Sequence, residues 1–195
     1  MKRFIIIILA VIACQLSKAQ AIKKDSIVKK FNIDSFNKYR QYNINTYYLA
    51  DSTKVEMDKG PTGYYERLSK QGSPYRLHNN YYPNLILKST VHTFYDIQYG
   101  IYYEYDENGM LTKEVNEDLP FKFTIENLIH KMLKDFKIDL RSNKPHMNIT
   151  RYINRDTKLT NYRINFPVSS SKYRTIKLDG STGKVLSDNI AGIVD

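Results

Sequence analysis

The strongest constraint on the fold is the regular alternation of tyrosine-rich segments with turn residues between positions 59 and 119. The clearest turn is Asn108-Gly109, because both residue types tolerate the positive φ angles of a type I′ turn. Strand-like sequences at 101–105 and 110–115 flank this turn and predict a β-hairpin. Turn residues at 59–61, 71–74 and 83–84 predict further hairpins before it.

A repeat is visible in the same region when the sequence is shifted by 24 residues. The shift superposes three residue types, with Tyr81 on Tyr105, Asn84 on Asn108 and Leu87 on Leu111. This spacing suits a strand-turn-strand unit repeated side by side, because a single hairpin cannot bury its apolar face alone.

The pattern of a glycine, an aromatic strand, an Asn-Gly turn and a leucine on the return strand resembles MORN-type repeats of bacterial proteins. The residues that fit it best are Gly100, Tyr105, Asn108, Gly109 and Leu111. The resemblance covers about residues 64–118, and the earlier copy departs from it because Leu85 replaces the turn glycine. Such repeats imply a scaffolding or binding surface rather than a catalytic centre.

The C-terminal part has a helix followed by strands. Thr124 is predicted to cap a helix whose apolar stripe consists of Leu128, Ile129, Met132, Leu133 and Phe136. Residues 147–154, 161–168 and 173–178 then alternate apolar and polar side chains, and 179–183 form a turn into 184–186.

This succession resembles the PepSY-like domains of secreted bacterial proteins over about residues 121–188. The predicted fold class is α+β: an antiparallel β-hairpin or meander region, followed by a helix packed on a three- to four-stranded antiparallel sheet. The expected organisation is a signal peptide at 1–19, a leader or tether at 20–50 with a short helix capped by Asp34, a hairpin region at 51–119 and the helix-plus-sheet module at 120–195.

The first 19 residues have the features of an export signal: a methionine and two basic residues, then an apolar run at 4–13 that is too short to span a bilayer. Cleavage after Ala19 would leave a soluble chain. Alternatively, residues 11–14 resemble a lipobox whose Cys14 becomes the membrane-attached first residue of a lipoprotein, or Cys14 is only a small apolar residue of the signal. Each route predicts an exported protein of the periplasm or outer surface.

Removal of residues 1–19 lowers the formal charge from +10 to +7. A basic protein outside the cytoplasm seldom meets nucleic acid, so an envelope or secreted protein or an anionic polymer is the expected partner.

The sequence contains no recognised catalytic, cofactor-binding or metal-binding motif. The only cysteine lies in the export signal, and the four histidines form no metal-ligand pair. Residues 180–184 have two residues rather than four between their glycines and no hydroxyl residue after the lysine, so a hairpin turn is favoured over a phosphate-binding loop. No cofactor is therefore expected, and a non-enzymatic protein is favoured.

Charge is unevenly distributed. Residues 101–126 have a formal charge of −5, whereas residues 127–195 have +7. Either the two parts face each other in the fold, or the basic part binds an acidic ligand. Alternation predicts that the outer sheet face carries Arg163, Tyr173 and Lys177, with Arg151 as a further candidate for the ligand surface.

The leading hypothesis is an exported cell-envelope binding or regulatory protein without catalytic activity. The PepSY-like resemblance implies an inhibitory or regulatory contact with a secreted hydrolase. The alternative is a periplasmic immunity or antitoxin-type protein that neutralises a toxin. An uncharacterised hydrolase has the least support, since no catalytic motif has the required spacing.

Overall fold

The computed structural model describes residues 29–40, 45–142 and 146–192. The predicted export signal, Cys14 and residues 20–28 and 41–44 of the predicted leader or tether lie outside the described residues. The elements in chain order are α1 (Ile33–Arg40), β1 (Thr46–Tyr48), β2 (Thr53–Gly60), β3 (Gly63–Lys70), β4 (Tyr75–Tyr81), β5 (Leu87–Phe94), β6 (Ile97–Tyr105), β7 (Leu111–Asn116), α2 (Ile125–Phe136), β8 (Asn148–Ile153), β9 (Thr160–Ser169), β10 (Lys172–Asp179) and β11 (Val185–Gly192).

The first seven strands form an antiparallel large sheet whose spatial order is the order of the sequence. The predicted hairpin around Asn108-Gly109 is confirmed, since β6 pairs with β7 and Tyr103 lies opposite Glu114. Along β2, Val55 and Met57 are buried on one face of this sheet, whereas Glu56 between them points to the other face. The large sheet therefore has an apolar inner face and a polar outer face.

The 24-residue repeat corresponds to two turns with the same backbone hydrogen bonds. In the first turn, the Leu85 amide donates to the Tyr82 carbonyl at 2.9 Å, and in the second the Gly109 amide donates to the Asp106 carbonyl at 2.9 Å. Leu85 and Gly109 both have positive φ angles, of 72° and 81°. The first turn therefore has the same backbone structure as the second, although leucine replaces glycine at the position with positive φ.

The last four strands form an antiparallel small sheet in the order β11-β10-β9-β8. The alternation predicts that Tyr162, Ile164, Phe166, Ile176 and Leu178 face inward. All but Phe166 are 0% exposed, and Phe166 is partly buried against the same core. The alternation that placed these side chains in the core is confirmed, and it leaves the intervening polar residues on the outer face.

The predicted α+β class is wrong. In the described part of the chain, eleven strands form sheets of seven and four strands, and the two helices are short, so the protein is mostly β. The sequence predicts repeated hairpins or a meander over residues 51–119 but does not indicate that all of their strands form one sheet. Backbone pairing instead joins them into one continuous sheet.

Helix α2 also differs from the prediction, because it is not a cover for the small sheet alone. Its buried residues Leu128 and Met132 belong to one hydrophobic cluster that contains Phe94 and Ile97 of the large sheet as well as Ile164 of the small sheet. The two sheets therefore share a core around this helix.

The helix ends confirm one predicted cap and correct another. The Thr124 hydroxyl accepts a hydrogen bond from the Asn127 amide at the start of α2, as predicted. At α1, however, the cap is Asn32, whose side chain accepts from the Ser35 amide at 2.9 Å, and not Asp34. Leu133 of the predicted apolar stripe is 45% exposed.

Candidate functional site

The outer face of the small sheet brings together three of the four predicted ligand-surface residues. Arg163 on β9 lies directly opposite Lys177 on β10, and Tyr173 points to the same side further along β10. Thr150 lies opposite Arg163, and Ser187 lies opposite Lys177. A row of polar side chains thus crosses all four strands with two cations at its centre.

The two central cations are an unfavourable pair for a sheet. Like charges directly opposite one another destabilise a sheet by up to about 1 kcal/mol. Within the described residues, neither Arg163 nor Lys177 forms an ion pair with a carboxylate. The Arg163 guanidinium lies 5.5 Å from the centroid of the Tyr152 ring. An acidic ligand on this face would reduce the repulsion.

The nearest acidic side chain in the outward row of β10 serves another purpose. The Asp179 carboxylate accepts hydrogen bonds from the Thr182 hydroxyl at 2.8 Å, the Thr182 amide at 2.7 Å and the Ser181 amide at 3.0 Å. These Thr182 and Ser181 donors hold the pKa of Asp179 below its usual value. Asp179 therefore stabilises the predicted turn between β10 and β11, which is confirmed, rather than Lys177.

Hydrogen-bonding groups surround the cations. In the next row, the Thr175 hydroxyl donates to the Asn165 side chain at 2.8 Å, and Asn148 and Asn189 lie at the ends of that row. The Ser187 hydroxyl oxygen is buried without a hydrogen-bond partner in the described residues. The face therefore offers donors and acceptors as well as positive charge.

Arg151 lies on the opposite, inner face of the small sheet. Its side chain is only 6% exposed and forms an ion pair with Asp118 at 2.8 Å. The guanidinium also donates to the backbone carbonyls of Gln98 and Glu117 and packs 4.4 Å from the centroid of the Phe121 ring. Arg151 thus joins the two sheets and is separated from the other predicted ligand-surface residues. Its pair with Asp118 also links the acidic segment to the basic one.

A buried carboxylate, Glu66, lies on the inner face of the large sheet. One oxygen accepts hydrogen bonds from Lys29 at 2.9 Å, Asn79 at 2.8 Å and Tyr81 at 2.8 Å. Burial alone would raise the pKa of Glu66, but the Lys29 ammonium and the Tyr81 and Asn79 donors outweigh it and lower the pKa. Through these hydrogen bonds the ionised carboxylate links Lys29, in the segment before α1, to β3 and β4.

In the described ranges, no three histidine, cysteine, aspartate or glutamate side chains lie close enough together to hold a metal ion.

Sequence reasoning missed a second cationic cluster, formed by Lys54, Arg67 and Arg76 on the outer face of the large sheet. These residues lie on three consecutive strands, and cross-strand pairing brings them together. The period-2 alternation in residues 53–60 and 63–70 was the available signal, but combining it across strands requires the register of two hairpins.

No helix in the described part of the chain is long and apolar enough to cross a membrane. Comparison with protein-family models, with curated proteins and with solved structures found no match for this chain.

Proposed function

We propose that the chain is an exported, non-catalytic protein of the cell envelope that binds an acidic partner protein through the outer face of its small sheet. The observation that supports this most directly is the opposed pair Arg163 and Lys177, which lacks a carboxylate partner in the described residues. A like-charge pair costs stability, and a ligand that supplies negative charge would offset that cost.

The shape of the surface favours a protein over a flexible polymer. Four paired strands present their outward side chains as one broad face, whereas a single polymer chain is bound best in a cleft. The amides of Asn148, Asn165 and Asn189 around the cations suit a mixed polar and acidic surface. The resemblances of residues 64–118 to MORN-type repeats and of 121–188 to PepSY-like domains agree with a binding role.

The proposal is tested by binding of a fluorescently labelled glutamate-rich peptide, followed by fluorescence anisotropy at two salt concentrations. We expect the double variant Arg163→Gln, Lys177→Gln to bind about tenfold more weakly, at roughly 0.7 kcal/mol for each cation. The matched control is Lys122→Gln, Lys134→Gln, which removes two exposed charges elsewhere and should weaken binding less than twofold.

Stability separates a binding role from a structural one. Because the two cations repel each other, the double variant should unfold at the same denaturant concentration as the wild type or a higher one. Equal peptide binding by the double variant and the control would refute the proposal, and so would a loss of more than about 1 kcal/mol of stability in the double variant.

Export is tested separately at the N-terminus. Mass spectrometry of the protein recovered from cells should show either a chain starting at Gln20 or an acylated Cys14 as the first residue. An intact Met1 on the mature protein would refute export.

A further inference from the structure

A shallow cavity of about 340 Å³ lies on the outer face of the large sheet, away from the small-sheet surface described above. Its lining includes four basic residues, Lys54, Arg67, Lys70 and Arg76, and one acidic residue, Glu56. Two aligned rows of side chains form its floor. The cavity therefore has an excess of positive charge.

The first row runs across four strands. Tyr48 on β1 lies opposite Lys54 on β2, Lys54 lies opposite Ser69 on β3, and Ser69 lies opposite Arg76 on β4. At about 4.8 Å for each strand, Tyr48 and Arg76 are about 14 Å apart along the row. This length exceeds that of a single small anion and fits a short chain ligand.

The second row consists of Glu56 on β2, Arg67 on β3 and His78 on β4. Its carboxylate determines which cations of the cavity are already neutralised. The Glu56 carboxylate is bonded to Arg67 at 2.8 Å and to Lys54 at 2.9 Å, so one acid serves two bases. Lys70 is paired with Asp51 at 2.8 Å. Arg76 forms no ion pair with a carboxylate of the described residues. The unbalanced charge therefore lies near Arg76 and Ser69.

The pKa of His78 is affected by these positive charges. His78 lies beside Arg67 on the neighbouring strand, and its ring accepts or donates a hydrogen bond with the Thr93 hydroxyl at 3.1 Å. Burial lowers the pKa of His78, and the Arg67 and Arg76 cations lower it further. Two cations that line the cavity therefore also act on His78, which lies next to it.

Tyr48 supplies an aromatic wall at one end of the row. Its side chain is 60% exposed, and an exposed aromatic ring beside cations can stack on the apolar face of a ring-shaped ligand. The Ser69 hydroxyl, midway between Lys54 and Arg76, has no hydrogen-bond partner in the described residues. An aromatic wall, a free hydroxyl and flanking cations together suit a sugar ring that carries an acidic group.

We propose that this cavity binds an acidic oligosaccharide, with a sugar ring stacked on Tyr48 and a carboxylate placed over Ser69 between Lys54 and Arg76. The site is independent of the proposed acidic-protein surface, since it lies on the other sheet. Glu56 acts as an internal competitor, because its carboxylate already engages Lys54 and Arg67.

The probe is a galacturonic-acid tetrasaccharide, and the matched neutral probe is a galactose tetrasaccharide, both titrated by calorimetry into the full chain at low ionic strength. We expect Arg76→Gln to weaken binding of the acidic probe at least tenfold and Tyr48→Ala to weaken it about fivefold. Glu56→Gln should tighten binding about fivefold, because it releases Lys54 and Arg67. A gain of affinity cannot arise from misfolding.

The double variant Arg163→Gln, Lys177→Gln should bind the acidic probe as the wild type does, which distinguishes this site from the proposed protein-binding surface. Equal binding of the neutral probe, unchanged binding by Arg76→Gln, or weaker binding by Glu56→Gln would each overturn the proposal. Inorganic sulfate binding as tightly as the tetrasaccharide would also overturn it, because the sugar ring would then contribute nothing.

Discussion

Replacement of Arg151 by methionine should be among the most damaging single changes at the junction between the two sheets. Methionine retains the apolar contact with Phe121 but removes every hydrogen bond of the guanidinium, which reach Asp118, Gln98 and Glu117. Two backbone carbonyls then lose a charged donor at a position where the arginine side chain is 6% exposed.

The magnitude follows from these contacts. A buried group left without its hydrogen bond costs about 1–3 kcal/mol, and this cost falls mainly on the part-buried Glu117 carbonyl, because water can reach the Gln98 carbonyl. Asp118 adds little, because its side chain is 45% exposed and water can replace the arginine. Release of the guanidinium from its desolvated position offsets part of the loss. We expect a net destabilisation of about 1–2 kcal/mol.

The assay is urea unfolding monitored by circular dichroism and, in parallel, by tyrosine fluorescence. Arg151→Met should lower the unfolding midpoint, whereas Arg155→Gln, an exposed arginine in the following turn, should change stability by less than about 0.5 kcal/mol. Arg151→Lys should fall between them, since an ammonium cannot reproduce the planar fork. A methionine variant within 0.5 kcal/mol of the wild type would refute the assignment of Arg151 as the junction between the sheets.

Two further predictions concern acid stability and a glycine. Hydrogen bonds from Arg67, followed by those from Lys54, lower the pKa of Glu56 from 4.5 to about 2 against the opposing effect of burial. A lowered folded-state pKa contributes stability above pH 4.5 that is lost as the pH falls towards 2. Because both cations are partly exposed, solvent screening leaves about 1 kcal/mol of this, so urea midpoints of wild type and Glu56→Gln should differ at pH 7 and converge near pH 2. A constant difference across that range would contradict the ion-pair explanation. Gly183 and Gly72 both have φ of +71°, but a Cβ at Gly183 would strike the Phe123 ring, whereas at Gly72 it meets nothing within 4 Å. Gly72→Ala should therefore cost about 1 kcal/mol of backbone strain and Gly183→Ala at least about 2 kcal/mol in thermal unfolding, and equal costs would show that the Phe123 contact is unimportant.

The local features of the fold could be read from the sequence wherever one physical signal dominated. Asn108-Gly109 determined a hairpin, Thr124 a helix start, and the alternation around Ile164 and Ile176 determined which face of the small sheet is buried. Each of these depends on residues within about ten positions of one another.

The features that sequence reasoning missed depend on contacts between distant residues. Arg151 lies in a strand with polar residues, so its sequence alone does not show that its side chain points inward. The reason is the position of Asp118 and of the Gln98 carbonyl, which accept its hydrogen bonds. The fold class failed for a related reason, because the continuous large sheet depends on the pairing between hairpins rather than within them. Lys54 and Arg76, 22 positions apart in the sequence, lie on either side of Ser69 only through that pairing.

The order of strands in the large sheet has a consequence for how the chain folds. Each of its seven strands pairs with the strand before or after it in the sequence, so every pairing closes a short loop and the entropic barrier to each step is low. The sheet can therefore assemble hairpin by hairpin as the chain emerges. The contacts that join it to the small sheet, such as Arg151 with Gln98, span more than fifty residues and must form after both sheets exist. Docking of the two sheets, rather than strand pairing, is therefore expected to limit the folding rate.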